Sequence, residues 1–161
     1  MRDRPPSESL QLLNEALLRQ RSDRRFCTVA HASLDPRPGE VPLAVASGGH
    51  PLPIVLRADG SVDRVGHHGT LLGVVPDPDL PDASSRLAPG DALVLYTDGV
   101  TDIRSTTVDP SPEWLEELVR SCAGMTADGI AGRIERAAID AQDGENRDDI
   151  AVVVLRASDG P

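Results

Sequence analysis

The chain has 161 residues, enough for one domain with its own core, and a hydrophobic content of 39% suits a globular protein. Its formal net charge is −10 and its aromatic content only 2%. It therefore lacks the basic patch and stacking platform that nucleic-acid binding needs, and an anionic membrane surface would repel it. No apolar run approaches the roughly 20 residues that span a bilayer. The polar start, Met1 to Pro6, carries no apolar signal region, so a cytoplasmic protein is expected. All 16 basic residues are Arg, which excludes a phosphate loop with its Lys, Schiff-base chemistry and a Ser-Lys nucleophile pair. Cys27 and Cys122 lie far apart, without a second Cys or a His at zinc-finger spacing, and read as two buried free thiols.

In chain order, Ser7 is expected to cap a helix whose apolar stripe is Leu10, Leu13, Ala16 and Leu17. Phe26 to Leu34 reads as a strand, Asp35 to Glu40 as a hairpin-type loop and Val41 to Ser47 as the returning strand. Gly48-Gly49-His50-Pro51 is a turn. Ile54 to Leu56 and Val62 to Val65 form a second hairpin around Ala58-Asp59-Gly60-Ser61. Gly66-His67-His68-Gly69 is a loop whose histidines read as solvated, and Ser85 to Ala88 fits an edge strand. Ser111-Pro112 opens a helix with the stripe Trp114, Leu115, Leu118, Val119 and Cys122. Thr126 caps the next, with the stripe Ile130, Ile134, Ala138 and Ala141. Ile150 to Leu155 is so uniformly apolar that it reads as a central strand. The organisation is a lead at 1–6, one domain at 7–156 and a tail at 157–161, and runs of strands followed by helices indicate a layered α+β fold.

The stretch Leu93 to Asp102, LVLYTDGVTD, carries the chemistry. A short apolar strand ends in Thr97-Asp98-Gly99. A carboxylate fixed at a strand end can ligate a cation, with Gly99 turning the backbone behind it. An Asp-Gly turn explains the same residues, and within this stretch both readings stay open. A second acidic strand edge is Arg147-Asp148-Asp149, where the acids precede a strand instead of following one. If those two strands are antiparallel neighbours, the acids meet at one rim, where their repulsion calls for a cation; two solvated acidic loops explain the same spacing, and from the residues alone both readings stay open. Hard oxygen donors without Cys suit Mg²⁺ or Mn²⁺.

Leu95 to Asp102 and Arg147 to Leu155 resemble two signature segments of the metal-dependent (type 2C) protein phosphatases, most closely the bacterial SpoIIE-like branch. Two further pieces agree in order. Ala46 to Pro53 resembles the Asn-Ala-Gly-His-Pro-Pro turn of that branch, and Ser9 to Leu18 with Arg25 to Thr28 resembles its helix and following strand. The resemblance runs from about Ser7 to Arg156. It implies an αββα sandwich of two antiparallel sheets flanked by helices. It also implies two Mn²⁺ or Mg²⁺ ions that activate water against a phosphoserine or phosphothreonine, with no covalent catalytic residue. Asp98 and Asp148 match metal-ligating acids of the family, whereas Asp149 and Gly99 match positions around the metals or the phosphate, and His50 reads as a structural turn residue or as a neighbour of the phosphate. The implied substrate is a phosphorylated regulator of the anti-sigma-factor antagonist type.

The chain also departs from the pattern. The family carries an Asp-x-x-Gly-type strand end, ahead of the helix that matches Ser7 onward, whose carboxylate bridges both metals. The expectation is that this chain covers the C-terminal part of the domain, incomplete at the N-terminus, and lacks that bridge, so that weak binding of a single ion survives and hydrolysis is impaired. Uncovered edges would then favour a homodimer. A non-catalytic interaction module that keeps the fold is the rival reading.

Overall fold

The structure, a computed structural model, describes residues 4–20, 26–102, 112–142 and 149–158. The elements are α1 (Pro6–Arg19), β1 (Val29–Leu34), β2 (Val41–Gly48), β3 (Ile54–Leu56), β4 (Val62–Arg64), β5 (Ala83–Leu87), β6 (Ala92–Tyr96), α2 (Pro112–Arg120), α3 (Ala127–Asp140) and β7 (Val152–Arg156). A single 3-10 turn, Asp98–Val100, follows β6. Two antiparallel sheets with three helices make this the expected α+β class. No helix among the described residues is long and apolar enough to cross a membrane. The chain packs as two compact units, one holding α1, β1, β2 and β5 and the other everything else.

In the first unit the strand order is β1-β2-β5, with β1 and β2 antiparallel from Val29 opposite Gly48 to Leu34 opposite Leu43. Edge placement of β5 is as expected. The strand expected from Phe26 begins at Val29; Phe26 itself is exposed, and Cys27 makes an isolated bridge to Leu72. The buried face of α1 packs Leu10, with Leu17 half-buried, against Ala46, Leu72 and Leu80.

Two expectations for α1 fail. Ser7 does not cap it: the N-cap position is Pro5, Pro6 starts the helix with its ring-fixed φ, and Ser7 instead donates its N–H to Asp82 at 2.9 Å. Leu13 and Ala16 are exposed, and the buried position between Leu10 and Leu17 is Asn14. Its amide donates to Val75 O at 2.9 Å and its Oδ1 accepts from Gly73 N at 2.8 Å. A polar side chain takes the core position because a neighbouring loop exposes two backbone groups that need partners.

In the second unit the order is β4-β3-β6-β7, all antiparallel. One face carries Ile54, Leu56, Ala92, Val94, Tyr96, Val152 and Val154, the period-2 set of three adjacent strands. On it pack Leu115, Val119 and Cys122 of α2 and its C-terminal turn, and Ile130, Ile134 and Ala138 of α3, as the helical stripes predict. Thr126 caps α3 as expected, its hydroxyl accepting from Gly129 N at 3.2 Å. Ser111, the expected cap of α2, lies outside the described residues. Both cysteines are free; Cys122 is buried, which pushes its thiol pKa up, and Cys27 is half-buried.

The final strand is not central. Among the described residues β7 pairs only with β6, so it lies at the sheet edge, and Val153 and Leu155 on its second face are 55% and 42% exposed. An unbroken apolar run reports apolar residues on both faces; it says nothing of how many neighbours the strand has.

A buried carboxylate ties the sheet's turns together. Asp91, 4% exposed, accepts from Arg57 Nη1 at 3.0 Å, Ala58 N at 2.9 Å and Ala88 N at 3.0 Å. Replacing it with Ala strands three donors. Asp91→Ala is therefore expected to cost about 3 kcal/mol and to lower the melting temperature by about 6–12 °C, with Asp91→Asn in between, as thermal unfolding will read. In the first unit, a Cβ on Gly69 would stand 2.1 Å from Ser47 O and 2.7 Å from Asp79 O, both backbone atoms that cannot swing aside. Gly69→Ala is expected to cost at least about 2 kcal/mol, measured as a fall in the urea midpoint at unchanged slope.

Candidate metal centre

The site follows from how β6 ends. Leu93 to Tyr96 pairs with Leu155 to Val152 residue by residue, and the last main-chain bond beyond the strands runs from Thr97 N to Ala151 O at 3.1 Å. There β6 turns away into the 3-10 turn. Asp98 O accepts from Thr101 N and Asp102 N, both at 2.8 Å, and from Thr101 Oγ1 at 3.2 Å. Gly99 is buried and its carbonyl accepts from Gln142 Nε2 at 2.8 Å, so the end of α3 anchors the turn. The Asp98 backbone is thus held from both sides, while its carboxylate is exposed.

The strand neighbours required for the two acidic edges to meet are present. β6 and β7 are antiparallel, so the end of one lies beside the start of the other. The Thr97 hydroxyl adds a second connection: it donates to Asp149 O at 2.8 Å and accepts from Ala151 N at 2.9 Å. Asp98, Gly99 and Asp149 therefore belong to one rim. Asp148 lies outside the described residues. His50 belongs to the other unit, in the turn after β2.

That turn is closed by Ser47, which is fully buried. Its Oγ donates to His50 O at 2.7 Å and accepts from His50 N at 3.1 Å. His50 Nδ1 lies 3.0 Å from Thr28 Oγ1, so the ring is oriented from β1's approach. Gly49, at φ +70°, donates its N–H to Gly69 O at 3.0 Å. His67 and His68 are exposed, as a solvated loop would have them.

The donor chemistry of the rim fits a hard divalent cation. Segments 97–102 and 149–151 carry Asp98, Asp102 and Asp149 and neither Cys nor His. Among the described residues no group of three or more His, Cys, Asp or Glu side chains is gathered closely enough to hold an ion. Thr97, Asn14 and Asp91 are the residues whose roles the sequence did not reveal. A Thr before Asp-Gly at a strand end was the available signal for the first; the other two had none.

A family model described as Stage II sporulation protein E (SpoIIE) matches residues 1–158. Phosphoserine phosphatase RsbU of Bacillus subtilis (strain 168) is 26% identical over 152 residues, covering 94% of this chain and 45% of its own length. The phosphatase domain of SpoIIE from Bacillus subtilis, in a crystal presoaked with Mn, superposes with a TM-score of 0.70 at 18% identity, over 99% of this chain and 78% of that one. The RsbU and RsbW domains of Rv1364c from Mycobacterium tuberculosis give a TM-score of 0.75 at 25% identity, over 96% of this chain and 43% of that one. The chain spans less than half the length of the curated relatives it matches. With the family model covering nearly its whole length and the β6–β7 rim carrying Asp98 and Asp149, the chain belongs to the SpoIIE-like family of metal-dependent protein serine/threonine phosphatases.

Proposed function

We propose that this chain acts in bacterial signalling by hydrolysing phosphoserine or phosphothreonine on a regulatory protein of the anti-sigma-factor antagonist type. The observation that supports it is the joining of the Asp98 turn to the Asp149 segment at one sheet rim. The substrate class rests on likeness to RsbU and to the RsbU and RsbW domains. Two free cysteines accord with a reducing, cytoplasmic setting.

In this reading Asp98 and Asp148 ligate Mn²⁺ or Mg²⁺. When bound, such an ion supplies the positive charge that polarises a phosphoryl group and activates water. The chain's own residues do the positioning. Asp98 presents its carboxylate from a turn whose backbone is already committed, so ligation requires little reorganisation. Gly99, tied to Gln142, keeps that turn from swinging. Asp149 adds negative charge beside the ligands.

The test is Mn²⁺-dependent release of phosphate from a phosphoserine protein substrate. Asp98→Asn and Asp148→Asn are expected to reduce kcat/KM by more than the roughly 10–100-fold typical of residues that merely orient a ligand. An active wild type whose two Asn variants keep full activity would remove the metal assignment. A folded wild type without any turnover would favour an interaction module.

A further inference from the structure

β7 is an edge strand without the features that usually guard an edge. It reads Val152-Val153-Val154-Leu155-Arg156, and among the described residues β6 is its only strand neighbour. The opposite edge of the same sheet is different. β4 is Val62-Asp63-Arg64, and its two charged side chains are held in ion pairs with Arg57 and Glu116. In the first unit the edge strands carry His31 and Ser33 in β1, and Ser84, Ser85 and Arg86 in β5. Charged side chains along an edge discourage pairing with another chain. β7 instead places four apolar residues in succession before its single charge.

The bonds just beyond its two ends show which backbone groups β7 leaves open. Thr97 N donates to Ala151 O at 3.1 Å, and Ala157 N donates to Asp91 O at 2.9 Å. Both pairs continue the β6–β7 register. In an antiparallel ladder, residues that bond toward one neighbour alternate with residues that bond away from it. Ala151, Val153, Leu155 and Ala157 therefore turn their backbone groups to β6. Val152, Val154 and Arg156 turn theirs outward.

We propose that β7 is the interface of a symmetric dimer of this chain, formed by antiparallel pairing with β7 of a second copy about Val154. This is independent of the metal-centre reading. In that register Val154 meets its own counterpart and Val152 meets Arg156 of the second copy. All of these are outward-bonding residues, so every outward N–H finds an outward C=O. A two-fold axis normal to the sheet relates the copies and keeps both faces continuous. On the second face Val153, 55% exposed, comes opposite Leu155 of the second copy, 42% exposed, at the closer non-hydrogen-bonded spacing. On the helix-bearing face, Val152 and Val154 are only half-buried because one flank is open, and the second strand covers that flank. Two chains of net charge −10 repel, yet β7 itself brings no carboxylate to the joint. The two Arg156 stand about 14 Å apart along the ladder, beyond the roughly 8 Å screening length at physiological salt. One short strand pair buries less than a standard interface, so the dimer is weak, with a Kd on the order of 10–100 μM.

The experiment follows the full chain by sedimentation velocity and by amide hydrogen exchange between about 5 and 500 μM. The mass is expected to rise from one chain to two. The amides of Val152, Val154 and Arg156 are expected to gain protection with concentration, whereas those of Val153 and Leu155, already bonded to β6, stay unchanged. Val154→Pro removes one outward N–H and no bond to β6, which an edge strand tolerates. Val153→Lys combined with Leu155→Lys sets like charges opposite each other across the joint. Each variant is expected to raise the dimer Kd at least about tenfold. A chain that stays monomeric throughout overturns the proposal. So does a dimer whose Val152, Val154 and Arg156 amides exchange as in the monomer, or one that both variants leave intact. If the variants fail to fold, the alternation of protection in the wild type decides alone: its presence upholds the interface and its absence overturns it.

Discussion

The pairing of β6 with β7 is the interaction on which the second unit and its rim depend. β6 sits inside the four-stranded sheet between β3 and β7, its Ala92, Val94 and Tyr96 facing the helices and its Leu93 fully buried on the other face. A strand buried on both sides cannot carry a charge until it leaves the sheet. Asp98 therefore falls at the first position where the chain turns, and the antiparallel register puts Asp149, which precedes β7, at the same end. The location of the acidic rim is a consequence of strand direction and burial.

Much of this was legible in the sequence, because the relevant signals are periodic or local. The α3 stripe Ile130, Ile134, Ala138 and Ala141 is buried as read, and Thr126 caps that helix. Apolar content at the β6 positions fixed that strand to within a residue. The failures are of another kind. Asn14 breaks the apolar stripe of α1 because its partners are the backbone of residues 73 and 75, about sixty positions away, and no local pattern announces them. The edge position of β7 depends on strand order, which composition does not encode. The Ser7 cap failed because Pro5-Pro6 was already sufficient to start the helix, leaving the hydroxyl to bond Asp82.

The candidate site divides in the same way. The acids were legible as types at spacings: Asp98 after a strand, Asp148 and Asp149 before one. The elements between them were not. Thr97 reads in sequence as an ordinary residue in a turn, and its two backbone partners become visible only when segment 149–151 is alongside. Ser47 is similar. It stands where the family turn carries Asn, a substitution that looks minor by sequence, yet its hydroxyl closes the His50 turn in both directions from a fully buried position. In both places a short side chain that donates and accepts does what a longer amide could do only with more room. Gly69 then presses so close to Ser47 O that no side chain fits between them.

The choice of a neutral hydroxyl at the rim has an electrostatic consequence. Elsewhere in the second unit carboxylates are held by arginine: Asp63 and Asp91 by Arg57, both at 3.0 Å, and Glu116 by Arg64 at 2.6 Å. Such pairs hold geometry by cancelling charge, which suits a structural joint. A cation site cannot be built that way, because an arginine near enough to hold a ligand carboxylate competes with the metal for it. The joint that Thr97 makes to segment 149–151 uses no charge. It grips the backbone of the opposite segment, leaves the carboxylates' charge intact, and adds none of its own. In a chain whose 16 basic residues are all arginine, the described joint between the Asp98 turn and segment 149–151 is made by a neutral hydroxyl.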